Sequence, residues 1–369
     1  MEKVRLGEIF IYEKKSSRKA GDGLKSGLYP FFTSSNIQSK FLNEYDSDGE
    51  YLIFGTGGKA SVNYVNGKFS VSTDNFLVKV NACAKYIFHY LKGDMQILED
   101  GFKGASIRHI SKDYLNDIKI FLPSHSKQER IAWELDIVYG ILAKQKRQHK
   151  LFDDLIKSKF NQMFGNPANN VRGWEHGTIR DIVSDVKYGT SRPATEGGRY
   201  PYLRMNNITY EGQLDLSNLK YIDIPDDEVE KCSVREGDVL FNRTNSKELV
   251  GKTCVFNLEK HMIIAGYIIR IRVNQKAIPI YLSATLNSDY GKLTLRSMCK
   301  QIVGQANINA QELQNIEILI PPLDLQNQFA DFVIQVELSK AKLKAEIEQT
   351  ETLYKALMQK HFGDKEAAA

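Results

Sequence analysis

The chain has 369 residues, of which 42% are hydrophobic and 26% charged, and its formal net charge is +5. This length suggests about two domains, each with enough apolar surface for a core, and excludes a chain dominated by disorder. The four cysteines form no CxxC pair, which argues against a disulfide scaffold or a structural zinc site. The sequence has neither the apolar run of a signal peptide nor a stretch approaching about 18 apolar residues, so we expect a soluble cytoplasmic protein without membrane contact.

The positive charge is not concentrated in any part of the chain. Residues 1–125, 126–165, 166–322 and 323–369 carry net charges of +3, +3, +1 and −2, which sum to +5. Any surface that binds an anion must therefore be local.

Residues 1–125 have the pattern of an α+β globular domain. Short alternating strands are predicted at 69–72 and 76–80. The loops at 33–36, 55–61 and 103–108 combine small polar side chains with cations. Arg, Lys and Asn form paired hydrogen bonds with base edges, while Ser and Thr hold phosphates, so these loops are candidates for DNA contact. The alternative for each of them is a solvated turn.

Residues 126–165 are predicted to form a long amphipathic helix. An isoleucine-rich strand at 118–122 ends at Pro123, and the hydrophobic period then changes to a heptad with seven of ten a and d positions apolar. The pattern corresponds to about 36 residues, or roughly 54 Å at 1.5 Å per residue. Gly165 is the expected C-terminal stop. The apolar seam residues are Ile131, Leu135, Val138, Leu142, Phe152 and Ile156.

Residues 166–322 and 323–369 follow the same order of a globular domain and a helix. Strands are predicted at 262–264 and 267–273, with polar and cationic loops at 190–192, 204–207 and 242–247. The seam residues of the second helix are Phe329, Val333, Val336, Leu343, Ile347, Tyr354 and Leu357. Because the two seams match in length, we predict that the helices pair in a coiled coil rather than each packing only on its own domain. A pseudo-two-fold relation between the halves would make this pairing antiparallel.

The chain contains an internal repeat. Residues 110–165 align with 308–363 at a constant offset of 198 without a gap, and 15 of the 56 positions are identical. The globular parts match in two blocks, 29–37 with 200–208 and 49–59 with 237–247. The second block aligns Thr56 and Lys59 with Thr244 and Lys247, as if they occupied equivalent places.

Motifs of enzymatic chemistry are incomplete. Gly251-Lys252-Thr253 resembles the end of a phosphate-binding loop, but Ser246 stands where the first part of that motif needs glycine. G-x-S-x-G and H-E-x-x-H do not occur. Residues 166–168 and 320–323 both miss the Asp/Asn-Pro-Pro-aromatic tetrad with which amino-methyltransferases hold the target amine. The sequence therefore predicts a non-catalytic chain, with a methyltransferase or nuclease acting alone as an alternative.

The repeated layout, the segment 237–253 and the Ile-x-Ile-x-x-Pro strand before each helix resemble the specificity subunit of type I restriction-modification systems. The resemblance implies two α+β target recognition domains, each reading one half of a bipartite, asymmetric DNA site, joined by two long helices in an antiparallel coiled coil. It implies two modification subunits docked on the helices, which methylate adenine with S-adenosylmethionine, and restriction subunits that use ATP and Mg for translocation and cleavage. These cofactors belong to the partners, and none is expected on this chain.

The helix pair is then a spacer between the recognition domains. Successive major-groove faces of B-DNA are about 34 Å apart, a separation that helices of the predicted length can set. The remaining alternative is a coiled-coil scaffold whose two domains bind protein partners.

The candidate DNA-binding residues combine the polar and cationic side chains of the loops. In the second domain, Arg243, Asn245 and Lys247, with Arg204 and Asn207, are predicted to face the groove. The full set is Thr33, Ser35, Asn36, Thr56, Lys59, Ser61, Arg108, Arg192, Arg204, Asn206, Asn207, Arg243, Thr244, Asn245, Lys247 and Lys252.

Overall fold

The computed structural model describes residues 2–104, 108–299 and 306–363, and it divides the chain into two compact units. The first unit comprises Met1–Lys146 with Ala345–Ala369, and the second comprises Arg147–Lys344. Both boundaries fall inside the long helices. Each unit therefore combines one of the predicted globular domains with part of each helix.

The first unit is built around a six-stranded sheet with the order β2-β7-β5-β6-β3-β4, and β1 pairs separately with β8. Its elements are β1 (Glu2–Arg5), α1 (Leu6–Ile9), β2 (Phe10–Tyr12), β3 (Tyr29–Phe32), β4 (Lys40–Leu42), β5 (Ser47–Gly55), β6 (Ser61–Val71), β7 (Asn75–Val80), α2 (Ala84–Gly93), α3 (Gln96–Glu99), α4 (Lys112–Asp117), β8 (Lys119–Leu122) and the first part of α5 (His125–Phe164). A short 3₁₀ turn covers Ala20–Asp22.

The second unit contains two four-stranded sheets, with the orders β10-β18-β14-β16 and β12-β11-β17-β13, and the pairs β9-β20 and β15-β19. After the end of α5, its elements are β9 (Glu175–Thr178), α6 (Ile179–Ile182), β10 (Val183–Tyr188), β11 (Tyr200–Leu203), β12 (Lys220–Ile222), α7 (Asp226–Cys232), β13 (Ser233–Val234), β14 (Val239–Asn242), β15 (Thr244–Asn245), β16 (Thr253–Val255), β17 (Met262–Ile264), β18 (Ile268–Val273), α8 (Pro279–Asn287), α9 (Asp289–Met298), β19 (Ala306–Asn307), α10 (Ala310–Gln314), β20 (Glu317–Ile320) and the first part of α11 (Leu323–Phe362).

The two units share one topology. β3 runs parallel to β6 with Phe31 opposite Ser70, and β11 runs parallel to β17 with Tyr202 opposite Ile263. Phe31 and Tyr202 are also paired in the sequence match of 29–37 with 200–208, so this block of the repeat is confirmed. β1 with β8 and β9 with β20 close each unit in the same antiparallel way.

The second block of the sequence match is wrong by one residue. The backbone N–H of Ile110 donates to Thr56 O at 3.2 Å, and that of Ile308 donates to Arg243 O at 2.9 Å. Ile110 and Ile308 are equivalent in the repeat, so Thr56 corresponds to Arg243 and not to Thr244. A one-residue shift turns each side chain of a strand to the opposite face, and the buried phenylalanines two residues earlier set the true register.

The long helices each have 40 residues, compared with about 36 in the heptad pattern, and α5 begins and ends one residue before the predicted range 126–165. In the first unit they run antiparallel. His361 Nε2 lies 2.9 Å from Glu134 Oε2, and Lys146 Nζ lies 2.7 Å from Glu351 Oε1, so the numbering rises on one helix as it falls on the other. The predicted antiparallel pairing is confirmed here.

In the second unit the same antiparallel arrangement is built around aromatic side chains. Phe329 of α11 is fully buried, with its ring centroid 5.6 Å from that of Phe160 and 5.4 Å from that of Phe164. Tyr281 of α8 completes the cluster. Lys340, a polar seam position, bonds Asp153 Oδ1 at 2.7 Å.

All predicted seam residues of both helices are buried or half-buried. In the first unit and second unit together these are Ile131, Leu135, Val138, Leu142, Phe152, Ile156, Phe329, Val333, Val336, Leu343, Ile347, Tyr354 and Leu357.

We expect Phe329→Ala to lower the free energy of unfolding of the second unit by about 3–5 kcal/mol, because it removes a buried ring and leaves a cavity. Leu338→Ala on the same helix is the matched control, since Leu338 is 61% exposed and its truncation should change stability by only about 0.5 kcal/mol. Denaturant unfolding of both variants checks this, and equal shifts would contradict the assigned packing.

Candidate nucleic-acid interface

In the second unit, several strand ends and loops meet at one edge. The N–H of Thr190 donates to Ile264 O at 2.9 Å, and the N–H of Arg243 donates to Tyr267 O at 2.9 Å. Tyr188 Oη accepts from the N–H of Ala310 at 2.7 Å. With the bond from the N–H of Ala265 to Leu203 O at 2.9 Å, they join residues 188–192, 203–207, 243–247, 264–267 and 306–310 into what we call the loop edge.

Arg243 is the cation at the centre of the loop edge. Its guanidinium carbon lies 5.0 Å from the centroid of the Tyr188 ring, a distance typical of a cation–π contact. With the described residues, the Arg243 side chain makes no hydrogen bond or ion pair. Its Nε is buried, so the two terminal nitrogens are the donors left for an acceptor outside the unit, such as the N7 and O6 atoms of guanine.

The loop around Arg243 is held by its own polar side chains. The buried Asn242 donates to Thr244 O at 3.1 Å, and Asn245 donates to Asn242 Oδ1 at 2.9 Å. Thr244 Oγ1 donates to Asn307 Oδ1 at 3.0 Å. Lys247 is exposed at the end of this loop. Thr244 and Asn245 thus support the loop that presents Arg243 and Lys247.

The adjacent asparagines of the 204–207 loop have different surroundings. Asn207 is only 1% exposed, and its amide accepts from the N–H of Arg204 at 2.9 Å and donates to Asp215 O at 2.7 Å. Asn206 is exposed, and Arg204 is half-buried with one donor 3.3 Å from Asn218 O. The prediction that Asn207 faces the groove is therefore corrected, because its side chain is used to close the turn.

Two further cations of the predicted set already have partners. Lys252 is 7% exposed and donates to Met205 O at 2.6 Å, and burial lowers the pKa of its ammonium group. The prediction that Lys252 contacts DNA is therefore corrected, because its side chain joins two loops of the unit. Arg192 is exposed and bonds Glu228 at 2.7 Å, which lowers the pKa of that carboxyl group.

In the first unit, the equivalent edge is also joined by main-chain bonds. Thr56 O accepts from Ile110, and the N–H of Gly58 donates to Arg108 O at 3.3 Å. Lys59 is exposed on this turn, where Gly58 has a φ of +86°. Arg108 is exposed, but its guanidinium donates to Phe102 O at 3.1 and 3.0 Å. Residues 105–107 of the predicted 103–108 loop lie outside the described part of the chain.

The 33–36 loop of the first unit holds a mixture of exposed and supporting groups. Ser35 and Asn36 are exposed and Thr33 is half-buried, while the Asn36 amide donates to Ala60 O at 3.0 Å. Ser61 is 2% exposed and its hydroxyl lies 3.5 Å from Ser34 O. Direct DNA contact by Ser61 is corrected accordingly, because its hydroxyl points into the unit.

Comparison with known proteins identifies the family. A family model described as the type I restriction modification DNA specificity domain matches residues 1–151 and 172–349. The chain belongs to this family. A solved structure, the S subunit of a type I restriction-modification system from M. genitalium, has the same fold, with a TM-score of 0.63, 15% identity and coverage of 98% of this chain and 96% of that chain.

Curated relatives are type I specificity subunits. The putative MjaX specificity subunit of Methanocaldococcus jannaschii is 28% identical over 193 residues, which cover 51% of this chain and 45% of the relative. The matched region thus spans about half of that relative's length. The MjaVIII specificity subunit of the same organism is 23% identical over 397 residues and covers 97% of this chain and 91% of the relative.

The described residues of this DNA specificity family member contain no helix long and apolar enough to cross a membrane. In that same part of the chain, no group of three or more His, Cys, Asp or Glu side chains is arranged to hold a metal ion.

Two aromatic residues of the loop edge were missed by the sequence reasoning. The ring of Tyr188 contacts the guanidinium of Arg243. Tyr267, which is 53% exposed, supplies the carbonyl that accepts from the N–H of Arg243. Exposed aromatic rings stack on bases or sugars and position arginines. The sequence could have indicated both residues, because Tyr188 precedes Gly189 and Tyr267 follows Gly266, next to loops that were predicted to contact DNA.

Asn207→Ala should lower the free energy of unfolding by about 1–2 kcal/mol, because it leaves the N–H of Arg204 and the carbonyl of Asp215 unpaired. Asn206→Ala is the neighbouring control and should change stability by no more than about 0.5 kcal/mol. Thermal or denaturant unfolding of the two variants measures the difference. A larger loss for Asn206→Ala would reverse the assignment of the two side chains.

Proposed function

We propose that the chain is the non-catalytic, sequence-specific DNA-binding subunit of a type I restriction-modification complex in the cytoplasm, and that its two units read the two halves of an asymmetric site. One observation carries this proposal. Equivalent backbone positions of the two edges hold different side chains, with Thr56 in the first unit where the second has Arg243. The matched loops likewise place Thr33 where the second unit has Arg204.

These replacements change what each edge reads. An arginine fork forms two hydrogen bonds with guanine, whereas threonine offers one hydroxyl and a methyl group that suits thymine. Two domains with one backbone but different contact residues are expected to select different half-sites. The overall charge, which is close to neutral in each segment, agrees with readout through a few loop residues.

The helical parts of the repeat support a second element of the proposal. They match without a gap over 56 positions, while the globular parts match only in blocks. Two copies of one partner need two similar docking surfaces, so we propose that the helices bind two modification subunits. S-adenosylmethionine is then held by those subunits, and ATP and Mg by restriction subunits that join the complex.

Arg243→Ala should reduce discrimination against a mutated half-site by about 1–3 kcal/mol, because a bidentate base contact is lost. The measurement compares the affinity of the reconstituted complex for cognate DNA and for DNA altered at single base pairs of each half-site. Arg180→Ala is the matched control. Arg180 lies before the start of β10, at the opposite end of that strand from Tyr188. The guanidinium of Arg180 already bonds Gln314 and Asn315.

Only the half-site read by the second unit should lose discrimination. Unchanged affinity and specificity of Arg243→Ala would remove Arg243 from the contact set. Equal losses for Arg180→Ala would indicate a general effect on folding or assembly.

Inserting one heptad into both α5 and α11 tests the helices as a spacer. Seven residues add about 10.5 Å at 1.5 Å per residue while keeping the apolar seam in phase. We expect the methylated motif to keep its two half-sites but change the gap between them, as mapped by sequencing methylated adenines. A four-residue insertion, which breaks the heptad phase, is the control that should lose assembly. An unchanged gap would contradict the spacer role.

A further inference from the structure

Two cations of α9 contact Tyr210 in the second unit, and both lie outside the predicted contact set. Lys292 of α9 lies with its Nζ 4.8 Å from the centroid of the Tyr210 ring and 3.2 Å from Gly251 O. Arg296, one turn later on α9, donates to Tyr210 Oη at 3.0 Å. Tyr210 therefore organises two cations of one helix.

The group is continuous with the loop edge. Lys252 donates to Met205 O, and the N–H groups of Gly251 and Asn242 bond Asn242 O and Lys252 O, each at 2.9 Å. The strand that leads to Arg243 thus also carries the loop on which Lys292 rests. Arg296, four residues after Lys292 on α9, is thus connected to the loop edge through the contact of Lys292 with Gly251.

Two carboxylates influence these cations without forming ion pairs with them: Glu211 partly offsets the lowered pKa of Lys252 and Lys292, and the charge of Arg296 helps to lower the pKa of Glu248. With the residues that the structure describes, neither Lys252, Lys292 nor Arg296 forms an ion pair, and the lysines bond main-chain carbonyls instead. Burial, together with the charges of Lys157, Arg296 and Lys252, lowers the pKa of Lys292 to about 8, against the opposing charge of Glu211. Like charges this close to one another, only partly offset by carboxylates, favour the binding of an anion.

We infer that Lys292 and Arg296, arranged around Tyr210, form a phosphate-binding site that holds the DNA backbone beside the second unit's loop edge, while Lys252 joins the loops next to it. The inference rests on the proposed function and extends it to residues that recognise phosphate and not sequence. Arg296 is the exposed member that contacts the phosphate, and Lys292 supplies a second positive charge behind it.

The first unit has no equivalent in its described residues. Its shorter α3 follows α2 as α9 follows α8, with Asp94, Glu99 and Asp100 at its ends, and the guanidinium of Arg108 beside it is bound to main-chain carbonyls. The Gln96 amide donates to Asp100 Oδ1 at 2.6 Å. Among the described residues, the arrangement of Lys292 and Arg296 around Tyr210 therefore has no counterpart on α3.

The first experiment measures the salt dependence of DNA binding by the reconstituted complex with Arg296→Ala. Loss of one phosphate contact should weaken binding about tenfold near 0.1 M salt, equally for cognate and mutated duplexes, and reduce the salt slope by about 0.9. The methylated motif should stay the same. Lys260→Ala, an exposed cation in the loop before β17, is the control and should leave the slope unchanged.

The second experiment measures affinity from about pH 7 to pH 9 with Lys292→Arg, whose side chain stays charged throughout. A bound phosphate favours protonated Lys292 and raises its pKa, so DNA binding takes up protons and the native complex should bind more weakly as the pH rises through 8. Lys292→Arg should flatten this decline. The variant's unfolding midpoint confirms that it folds.

An unchanged salt slope in Arg296→Ala, or a pH profile that Lys292→Arg does not alter, overturns the phosphate site. If Arg243→Ala still changes specificity in that case, the proposed function stands without it. If the native complex shows no preference for any DNA sequence, the proposed function itself has failed.

Discussion

Each long helix depends on one buried glutamine at its start. Gln128 donates to Pro123 O at 2.7 Å and accepts from the N–H of Cys83 at 3.0 Å, while Gln326 donates to Pro321 O at 2.8 Å and accepts from the N–H of Ile278 at 3.0 Å. These bonds tie the proline turn to the beginning of α2 or α8. A buried group left unpaired costs about 1–3 kcal/mol, so the amide fixes the direction in which the helix leaves its domain. The apolar seam of that helix can then meet its antiparallel partner within each unit.

The two units fill this common framework with different side chains. Counted from Cys83 and Ile278, His89 of α2 is equivalent to Ala284 of α8. His89 is fully buried, with its ring nitrogens 2.8 Å from Asp136 Oδ1 and 2.8 Å from Tyr354 Oη. In the second unit, Ala284 instead lines an open groove of about 910 Å³ between α8 and the two long helices. The imidazole of His89 and the methyl group of Ala284 thus occupy equivalent positions of the repeat. The fold tolerates both because backbone and glutamine hydrogen bonds hold the elements in position.

The same separation of framework and contact residues applies at the loop edge. Thr56 and Arg243 accept the same main-chain hydrogen bond from equivalent isoleucines, although their side chains have different chemistry. The backbone does not need to change when the side chain does, since the bond uses only the carbonyl. A fold of this kind allows one half of the chain to acquire a new specificity while its helices keep one docking surface, as the proposed function requires.

The helices and the order of domains were predictable from the sequence because their signals are local and repeated. Every predicted seam residue is buried or half-buried. A heptad pattern lies within one continuous segment, and its apolar positions must pack against a partner. Tertiary structure alone decided which residues of β5 and β14 are equivalent in the repeat, and which partners the polar groups of the loops bond. Aligning the identical residues Thr56 and Thr244 gave the wrong equivalence. The burial of Phe54 and Phe241 in the two cores fixes which residues of the strands correspond. Ser61, Asn207 and Lys252 are buried because their partners are carbonyls of other loops, which no local pattern reveals.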